Sequence, residues 1–354
     1  MRHVRAFDGL RGGAVLLVVL FHATMGRFAG GFLGVDLFFA LSGFLITSIL
    51  VDEYESCGRI SLSAFYARRA LRLVPALFAM LAIYVVIALT LAEHATQHLA
   101  AAAFAAGYVM NWVIAFNLGP VGFVPHTWSL AIEEQFYLLW PALLLLALAW
   151  AGRRGAAALG IVLLAVSTIW RTYLAAHGAS WDRIYCGFDT STDALFAGCV
   201  LALIDLSPAM LNFVRRSWYI PSAVVAGFFI LAVSETHWME VWGMTAFGLF
   251  AAWLVRMLSV SGANPLKTAL ESTPLRFLGR ISYGVYLWHG LILWLLLFAH
   301  MPDRLIILAL APLSITVAFL SYTVIEQPFL RMKVRRFSRR IQYEAAPVIA
   351  SAKT

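Results

Sequence analysis

The chain has 354 residues, of which 62% are hydrophobic and 12% are charged, and its formal net charge is +8. Soluble domains are roughly half apolar and a quarter charged, so this composition excludes an ordinary soluble globular protein. The positive charge does not indicate nucleic-acid binding, because the basic residues cluster at the ends of apolar segments, where the positive-inside rule accounts for them. The 3 cysteines are scattered and fit neither a disulfide framework nor a metal-binding spacing, so no metal site is expected.

Apolar segments of about 18 to 22 residues recur along the whole sequence, and this is the length that a helix needs to cross hydrocarbon. The first segment follows a basic start but lacks an A-x-A-like cleavage site, so it is predicted to be an uncleaved span rather than a signal peptide. The candidates lie near residues 8–26, 33–51, 73–92, 98–116, 129–150, 156–175, 190–205, 219–233, 241–258, 282–300 and 304–325.

The basic residues predict the orientation of these segments. The arginine-rich segment 52–72 and the tail RMKVRRFSRR should both lie in the cytoplasm, and so should the N-terminus. Two cytoplasmic termini require an even number of crossings, so one of the eleven candidates does not cross the membrane. The polar stretches EHATQH and NLGPVGFVPH indicate that this segment turns back within residues 73–129. We therefore predict an all-α polytopic membrane protein with about ten transmembrane helices, one re-entrant or partial segment, and cytoplasmic N- and C-termini.

The first apolar segment, GLRGGAVLLVVLFH, carries two groups that lipid penalises. Arg11 and His22 are eleven positions apart, which places them on nearly the same helix face and about 16 Å apart along the axis. Ionisable groups inside a membrane usually face a bundle interior or an aqueous cavity and are functional candidates. The alternative is that Arg11 only anchors the helix at the cytoplasmic surface and His22 only forms an interhelical hydrogen bond.

The second segment, GVDLFFALSGFLIT, places Asp36 at a depth comparable to that of His22. Across a short hairpin the two side chains could meet, and the carboxylate would then fix the imidazole tautomer. The alternative is that Asp36 caps the helix or lies in the interface. Ser42 and Gly43 are interpreted as close-packing residues, because the G-x-S-x-G motif of a nucleophilic serine is absent.

The stretch FYARRALRLVPA predicts an arginine cluster at the cytoplasmic mouth. Arg69 and Arg72 share a helix face, and Arg68 lies beside them. Guanidinium groups match phosphate oxygens in bidentate fashion. Together with Arg11, these residues could hold a phosphorylated cytosolic cofactor, whereas on this segment alone the simpler role is membrane anchoring.

The stretch PHTWSLAIEEQFYLLWP contains a polar stripe at the start of an apolar segment. Ser129, Glu133 and Tyr137 recur at four-residue spacing, with Trp128 and Glu134 beside the stripe. Two adjacent glutamates are costly in a membrane and require polar partners, unless they only mark a water-exposed interface. We predict Glu133 as a second catalytic carboxylate, and the other four side chains as substrate-binding residues.

Later polar positions are less decisive than these. They are Arg171, Asp189, Asp193, Ser282, Tyr283, Tyr286, His289 and Glu326, and the aromatic ones have interfacial anchoring as their commoner meaning.

Five of these stretches in this order resemble the acyltransferase-3 family of integral membrane acyltransferases. They are GLRGGAVLLVVLFH, GVDLFFALSGFLIT, FYARRALRLVPA, HTWSLAIEEQFYLLWP and ISYGVYLWHG, and the resemblance covers nearly the whole chain. It implies a membrane acyltransferase domain over residues 1–330, followed by a basic cytoplasmic tail over residues 331–354. Some members carry a fused periplasmic hydrolase-like domain, and the sequence ends soon after its basic tail, which favours a standalone version.

The resemblance implies transfer of an acyl group, usually acetyl from acetyl-CoA, to a hydroxyl of a cell-envelope glycan or a glycosylated small molecule, in the inner membrane of a bacterium. It implies that His22 is the essential imidazole and that Arg11, Arg69 and Arg72 contribute to the donor site. One departure is visible, because relatives often carry an arginine where Ser191 or Thr192 stands here. The contacts that this segment makes to donor or acceptor are therefore in doubt.

These expectations combine into one hypothesis. Acetyl-CoA enters from the cytosol, the arginines hold its phosphates, and His22 takes the proton of an acceptor hydroxyl that arrives from the outer side. Asp36 or Glu133 orients the imidazole, an acyl-histidine intermediate stays open as a second route, and one tunnel joins His22 to the arginines. The rival function is a transporter or flippase that uses the same groups as a proton relay, and a third is a scaffold whose charges only pack helices.

Overall fold

The computed structural model describes residues 3–92 and 94–331, and this part of the chain folds into helices without strands. Short 3-10 turns precede α2 and α6, and π-helical turns lie at Met239–Gly243 and Tyr322–Glu326. The α-helices are α1 Arg5–Ala23, α2 Gly34–Cys57, α3 Leu62–Leu91, α4 Ala95–Ala106, α5 Met110–Ala115, α6 Trp128–Ala176, α7 Trp181–Cys186, α8 Asp193–Leu203, α9 Pro208–Arg216, α10 Tyr219–Leu231, α11 Met244–Val260, α12 Pro265–Leu270, α13 Thr273–Phe298 and α14 Asp303–Ser321.

Seven helical stretches in the described part of the chain are long and apolar enough to cross a membrane. This confirms the prediction of an all-α polytopic membrane protein, whereas the ten crossings and the cytoplasmic termini stay predictions. The seven stretches are Arg5–Ala23, Ala29–Cys57, Leu62–Leu91, Pro125–Ala176, Met239–Val260, Thr273–Phe298 and Asp303–Arg331. The predicted basic tail lies, apart from Arg331, outside the described residues.

One of these stretches is far too long for a single crossing. Pro125–Ala176 has 52 residues, which is about 78 Å of helix against a hydrocarbon core of about 30 Å. Gly152 interrupts it with φ 61° and ψ −167°, a backbone conformation that is essentially restricted to glycine. Helix α6 therefore consists of two helical halves joined at Gly152, each of membrane-spanning length.

The region between α3 and α6 reverses direction. Helix α4 has 12 residues and α5 has 6, so neither reaches across the hydrocarbon core. The chain turns at Tyr108, and the segment after α5 runs back beside α4, with Gly119 against the ring of Phe104. The side-chain amide of Gln135 donates hydrogen bonds of 2.9 Å to the Tyr108 carbonyl and to Asn111, so α6 satisfies polar groups of the turn. This reversal lies in the region 73–129, where the sequence predicted a segment that turns back.

Glycines bring the central helices into close contact. A Cβ atom on Gly43 of α2 would lie 1.9 Å from the carbonyl oxygen of Leu195 in α8, so only glycine fits there and its interpretation as a packing residue is confirmed. In the same way, a Cβ atom on Gly12 of α1 would lie 2.3 Å from the carbonyl oxygen of Leu275 in α13. Helices α1 and α13 run in parallel, which brings their polar residues to matching depths.

Ion pairs identify which loops share an end of the bundle. Arg27, after α1, lies 2.9 Å from Asp303 at the start of α14, and we call this the Arg27 end. Arg153, next to the break in α6, lies 3.2 Å from Glu55 at the end of α2 and 3.3 Å from Asp205 after α8. This second end, here the Arg153 end, also contains the start of α1.

Candidate active site

A narrow cavity of about 70 Å³ lies among α1, α2, α3, α6 and α13, and charged side chains line it. Arg11 of α1 meets Arg69 and Arg72 of α3 there, while Glu133 and Tyr137 enter from α6. Three guanidinium groups facing one carboxylate give the cavity an excess of positive charge, which favours an anionic ligand. The sequence prediction that these arginines form one cluster is met by this geometry.

Hydrogen bonds and ring contacts hold the walls of this cavity. The Ser42 hydroxyl donates a 2.6 Å hydrogen bond to Oε1 of Glu133, so the carboxylate is fixed by α2. The guanidinium carbon of Arg69 lies 3.6 Å from the centre of the Tyr137 ring, in a cation–π contact. Nε of Arg69 is buried and has no hydrogen-bond partner within the described chain, which leaves a donor available to a ligand.

Two further cavities adjoin the narrow one at the Arg153 end. The larger has a volume of about 430 Å³ and shares Arg11, Arg72 and Tyr283 with the narrow cavity. The other, of about 170 Å³, adds Arg68 to the same arginines. Arg68 also lies 3.6 Å from Glu53, so part of its charge is already paired. All four arginines predicted for the donor site therefore surround one connected group of cavities.

His22 belongs to a separate cluster of histidines towards the Arg27 end. Its Nδ1 lies 2.9 Å from the Val18 carbonyl oxygen and donates to it in the neutral ring, so Nε2 keeps a free lone pair. The His22 ring lies 4.9 Å from that of His289, which in turn lies 5.1 Å from that of His126, between ring centres. Nε2 of His289 and Nδ1 of His126 are buried without hydrogen-bond partners within the described chain.

Tyr286 connects the histidine cluster to the narrow cavity. Its hydroxyl lies 2.6 Å from the Ser129 hydroxyl and donates a 2.8 Å hydrogen bond to the His126 carbonyl. Tyr286 and Ser129 line the narrow cavity, whereas His22 is not among its described lining residues. The prediction that His22 and the arginines share one open cavity is therefore not met in the described chain, because the lining of the narrow cavity includes these two hydroxyls but not His22.

Asp36 is buried but does not meet His22, so the predicted contact between them is wrong. The carboxylate is 1% exposed, and its Oδ2 lies 3.5 Å from the hydroxyl of Tyr185 in α7, which also donates to the Phe32 carbonyl oxygen at 3.1 Å. Burial raises the pKa of the Tyr185 phenol well above its usual value, which keeps this hydroxyl a donor. The physical reason for the error is rotation about the axis of α2, because Asp36 faces α7 and α8 rather than α1.

The remaining predicted residues divide between cavity and packing. Glu133 binds Ser42 rather than His22, so the predicted orientation of the imidazole by Glu133 is also wrong in this geometry. Glu134 lies near Arg69, close enough for the two charges to interact. Trp128 packs 4.7 Å from the Tyr185 ring and does not line the narrow cavity, whereas Ser129 and Tyr137 do.

Comparison with known proteins decides the family. A family model described as an acyltransferase domain, of the acyltransferase-3 type, matches residues 4–323.

This chain belongs to the acyltransferase-3 family.

Its relatives include bacterial O-acetyltransferases. A peptidoglycan O-acetyltransferase of Listeria monocytogenes is 35% identical over 305 residues, which cover 81% of this chain and 49% of the relative. A putative peptidoglycan O-acetyltransferase of Bacillus subtilis is 32% identical, covering 96% of this chain and 57% of the relative. A putative O-acetyltransferase of Staphylococcus aureus is 30% identical, covering 97% and 60%. The chain thus spans about half the length of the curated relatives it matches, and no solved structure matches it.

The segment around Ser191 and Thr192, where the resemblance predicted an arginine, is contacted by Arg171 of α6. Its guanidinium is fully buried and donates to the Thr190 carbonyl at 2.7 Å and to Asp193 at 2.8 Å. A buried cation from another helix therefore accompanies this segment.

Sequence reasoning missed several residues of this acyltransferase-3 site. Ser42 was assigned to packing, yet its hydroxyl fixes Glu133. Its position, one turn before Ile46 on the inner face of α2, gave no signal that distinguishes a site residue from a packing residue. Tyr286 and His289 were noted but interpreted as interfacial, and His126 was not singled out. The spacing of Tyr286 and His289 on one face of α13 was the signal that could have placed them together.

Proposed function

We propose that this chain transfers an acetyl group from acetyl-CoA, or another cytosolic acyl-CoA, to a hydroxyl of a cell-envelope glycan. The observation that carries the proposal is the cluster of Arg11, Arg69 and Arg72 around one narrow cavity in a member of an acyltransferase family. Phosphates on a cytosolic donor are the natural ligands of such a cluster. The names of the relatives from Listeria monocytogenes and Bacillus subtilis support peptidoglycan as the glycan class.

We propose that the chain crosses the bacterial inner membrane ten times, with both termini in the cytoplasm and one re-entrant segment formed by α4 and α5. The break at Gly152 divides one long stretch into two crossings, and the shorter apolar helices α8 and α10 provide two more. The Arg153 end then faces the cytosol, because basic residues concentrate there. This orientation opens the arginine cavities to a cytosolic donor and directs the histidine cluster to the outer side.

In the proposed reaction, the oxygen of the acceptor hydroxyl attacks the acyl carbon of the thioester while Nε2 of His22 takes the hydroxyl proton. The carbon–sulfur bond breaks, the electron pair leaves with the thiolate, and the proton is returned to this sulfur, so the products are ester and free thiol. Nε2 suits the role of base because Nδ1 is committed to the Val18 carbonyl. A direct transfer and an acyl-histidine intermediate are both compatible with this arrangement.

The other predicted residues take supporting roles in the proposal. Glu133, which the Ser42 hydroxyl holds, orients the polar groups on the donor side of the narrow cavity. Tyr137 and Ser129 line the path of the acyl arm. Glu134 contributes charge to the donor side, while Trp128 packs behind the acceptor side. Asp36 acts as a positioning residue through Tyr185. The hydroxyl pair of Ser129 and Tyr286 must separate for the acyl arm to reach His22.

The test is release of free thiol from acetyl-CoA by the purified protein, measured with and without a peptidoglycan-derived acceptor. We expect acceptor-dependent release, and a loss of about 100- to 10,000-fold in His22→Ala, the usual contribution of a general base. Full transfer in His22→Ala would overturn the role of His22. Movement of a glycan across the membrane without consumption of acetyl-CoA would instead favour the transporter or flippase.

A further inference from the structure

The larger cavity at the Arg153 end contains a carboxylate that the proposed function does not use. Glu326 ends the π-helical turn Tyr322–Glu326, which follows α14, and its side chain lines the cavity together with Arg11 and Arg72. Short π-helical turns occur frequently at functional sites, because the extra residue redirects a side chain out of the regular helical register. Here the turn directs an acidic group into a cavity whose other charged walls are mainly basic.

The Glu326 carboxylate is buried, and none of the described residues forms a hydrogen bond or an ion pair with it. The residue is 5% exposed, and its Oε1 is buried without a hydrogen-bond donor in the described part of the chain. Arg72 is the nearby opposite charge, yet none of the described cationic groups forms an ion pair with Glu326 within 4.0 Å. A buried acceptor without a donor costs free energy, so such a group is usually retained for a ligand.

The position of Glu326 indicates which part of a ligand it would meet. Its Oε1 lies 3.4 Å from the point that a Cβ atom of Gly284 would occupy, which places the carboxylate level with Tyr283 on α13. Tyr283, Arg11 and Arg72 line both the larger and the narrow cavity, so this is where the two cavities meet. A volume of about 430 Å³ has room for a nucleotide-sized group, whereas about 70 Å³ admits only a slender chain.

We propose that Glu326 accepts a hydrogen bond from an amide N–H of the acyl donor's pantetheine arm, where that arm passes from the larger cavity into the narrow one. Arginines recognise phosphates, which carry no useful donor near neutral pH, but a carboxylate requires an N–H or O–H group. A ligand with a phosphorylated head and an amide-containing arm would satisfy both the arginines and the carboxylate. This inference rests on the proposed function, because it assumes that the donor is a coenzyme A thioester.

The test compares two ligands that share a phosphorylated nucleotide but differ in the arm. Coenzyme A carries the arm, and adenosine 3′,5′-bisphosphate does not. For Glu326→Gln in detergent-solubilised full-length protein, we expect the Kd of coenzyme A to rise about 5- to 10-fold, because the glutamine carbonyl oxygen still accepts the amide N–H but without the charge that strengthens the hydrogen bond. The Kd of adenosine 3′,5′-bisphosphate should stay unchanged or fall, because a negative charge near the phosphates has been removed.

Asp8 provides the matched control in the same cavity. Its carboxylate lies 3.1 Å from Nε2 of His3 and is therefore already engaged, so Asp8→Asn removes the same charge from a carboxylate that already has a partner. We expect Asp8→Asn to leave the preference for coenzyme A over the bisphosphate unchanged. Tighter binding of both ligands by Glu326→Gln would show that Glu326 is only a counter-ion of Arg72 and would overturn the proposal.

Two other results are also decisive. Equal weakening of both ligands by Glu326→Gln would indicate a general structural role and would overturn the inference. If the wild-type protein binds neither coenzyme A nor the bisphosphate, the donor assignment itself fails. If wild type binds coenzyme A and Glu326→Gln binds it equally well, only the role of Glu326 fails.

Discussion

At the scale of single residues, the arginines differ in how fully their charges are already used. Arg72 lines all three connected cavities and forms no ion pair within 4.0 Å in the described chain, whereas Arg68 lies 3.6 Å from Glu53. A guanidinium held in a cavity without an internal partner is preorganised for an anionic ligand. Arg72 should therefore contribute more to binding of the donor than Arg68.

The corresponding prediction compares Arg72→Gln with Arg68→Gln. We expect the Kd of coenzyme A to rise about 10- to 100-fold in Arg72→Gln, since a charge-assisted hydrogen bond in a buried site is lost. In Arg68→Gln the rise should be about 5-fold or less, because that arginine is partly exposed and paired. Isothermal titration of purified wild type and both variants measures the difference, and equal effects would contradict the assignment of Arg72 to the centre of the donor site.

Sequence alone could identify the charged residues of this site but not all of their neighbours. The convergence of Arg11 with Arg69 and Arg72 follows from helix faces and from charge at the membrane surface. The partner of Asp36 could not be predicted in this way. Helical periodicity and membrane depth fix the height of a residue along α2, but they do not fix which neighbouring helix it faces. That choice depends on the close packing of α2 against α8, which long-range contacts alone determine.

At the scale of helices, the parallel pair α1 and α13 sets the distance between the arginine cavity and the histidine cluster. The pair owes its closeness to small residues, since membrane helices gain little from apolar burial against one another and depend on direct backbone packing. Gly12 lies at this contact, while the adjacent Gly13 faces open space. Neighbouring glycines with different surroundings give an internal comparison.

We predict that Gly12→Ala destabilises the protein by about 1–3 kcal/mol, because its Cβ atom would overlap the Leu275 carbonyl and force the helices apart. Gly13→Ala meets nothing within 4 Å and should be neutral or slightly stabilising. Thermal unfolding of both variants in detergent measures the difference. A stable Gly12→Ala protein with unchanged activity would show that the two helices do not pack as closely as described.

Gly152 offers a second test at this scale, since the division of α6 depends on its backbone conformation. With φ 61° and ψ −167°, an alanine there is strained whatever the surrounding space. We predict that Gly152→Ala lowers stability by about 1–3 kcal/mol. Gly262→Ala serves as the control, because Gly262 also has open space around it but an ordinary backbone conformation. A continuous, unbroken α6 would instead make Gly152→Ala stabilising.

The helices show why the number of crossings was harder to predict than the helical class. Hydropathy detects apolar length, so the long segments of α1, α2, α3 and α13 follow from the sequence. Helices α8 and α10 have 11 and 13 residues, which is shorter than a full crossing. Whether they cross the membrane therefore depends on how they pack against neighbouring helices. The position of the reversal between α4 and α5 could be predicted, because polar stretches flank it. Its hydrogen bonds with Gln135 could not be predicted from the sequence.

At the scale of the whole molecule, orientation in the membrane is the property on which the proposed function depends. The native cysteines allow a direct measurement, because Cys57 is exposed at the Arg153 end while Cys186 and Cys199 are buried. We predict that a membrane-impermeant maleimide does not label wild-type protein in intact cells but labels it in inverted vesicles. Asp303→Cys, at the Arg27 end, should be labelled in intact cells, and the reverse pattern would contradict the proposed topology.

In the proposed orientation the molecule has two sites with different partners, an arginine cavity open to the cytosol and a histidine cluster towards the outside. The Ser129 and Tyr286 hydroxyls lie 2.6 Å apart, and the proposed transfer requires movement of these side chains. Such a gate would keep the thioester from water until the arm enters, which favours transfer to a glycan over hydrolysis. The proposed function thus joins a cytosolic acyl donor to an external acceptor without moving either across the membrane.

The most direct measurement places the donor and the acceptor on opposite sides of one bilayer. Purified protein is reconstituted in vesicles, its orientation is read from labelling of Cys57, and acetyl-CoA and a peptidoglycan fragment are supplied on separate sides. The proposed function predicts acetylated fragment only when acetyl-CoA is on the Cys57 side, with one thiol released for each ester formed. Acetylation that requires both substrates on the same side, or none in any arrangement while the fragment crosses the bilayer, would contradict it.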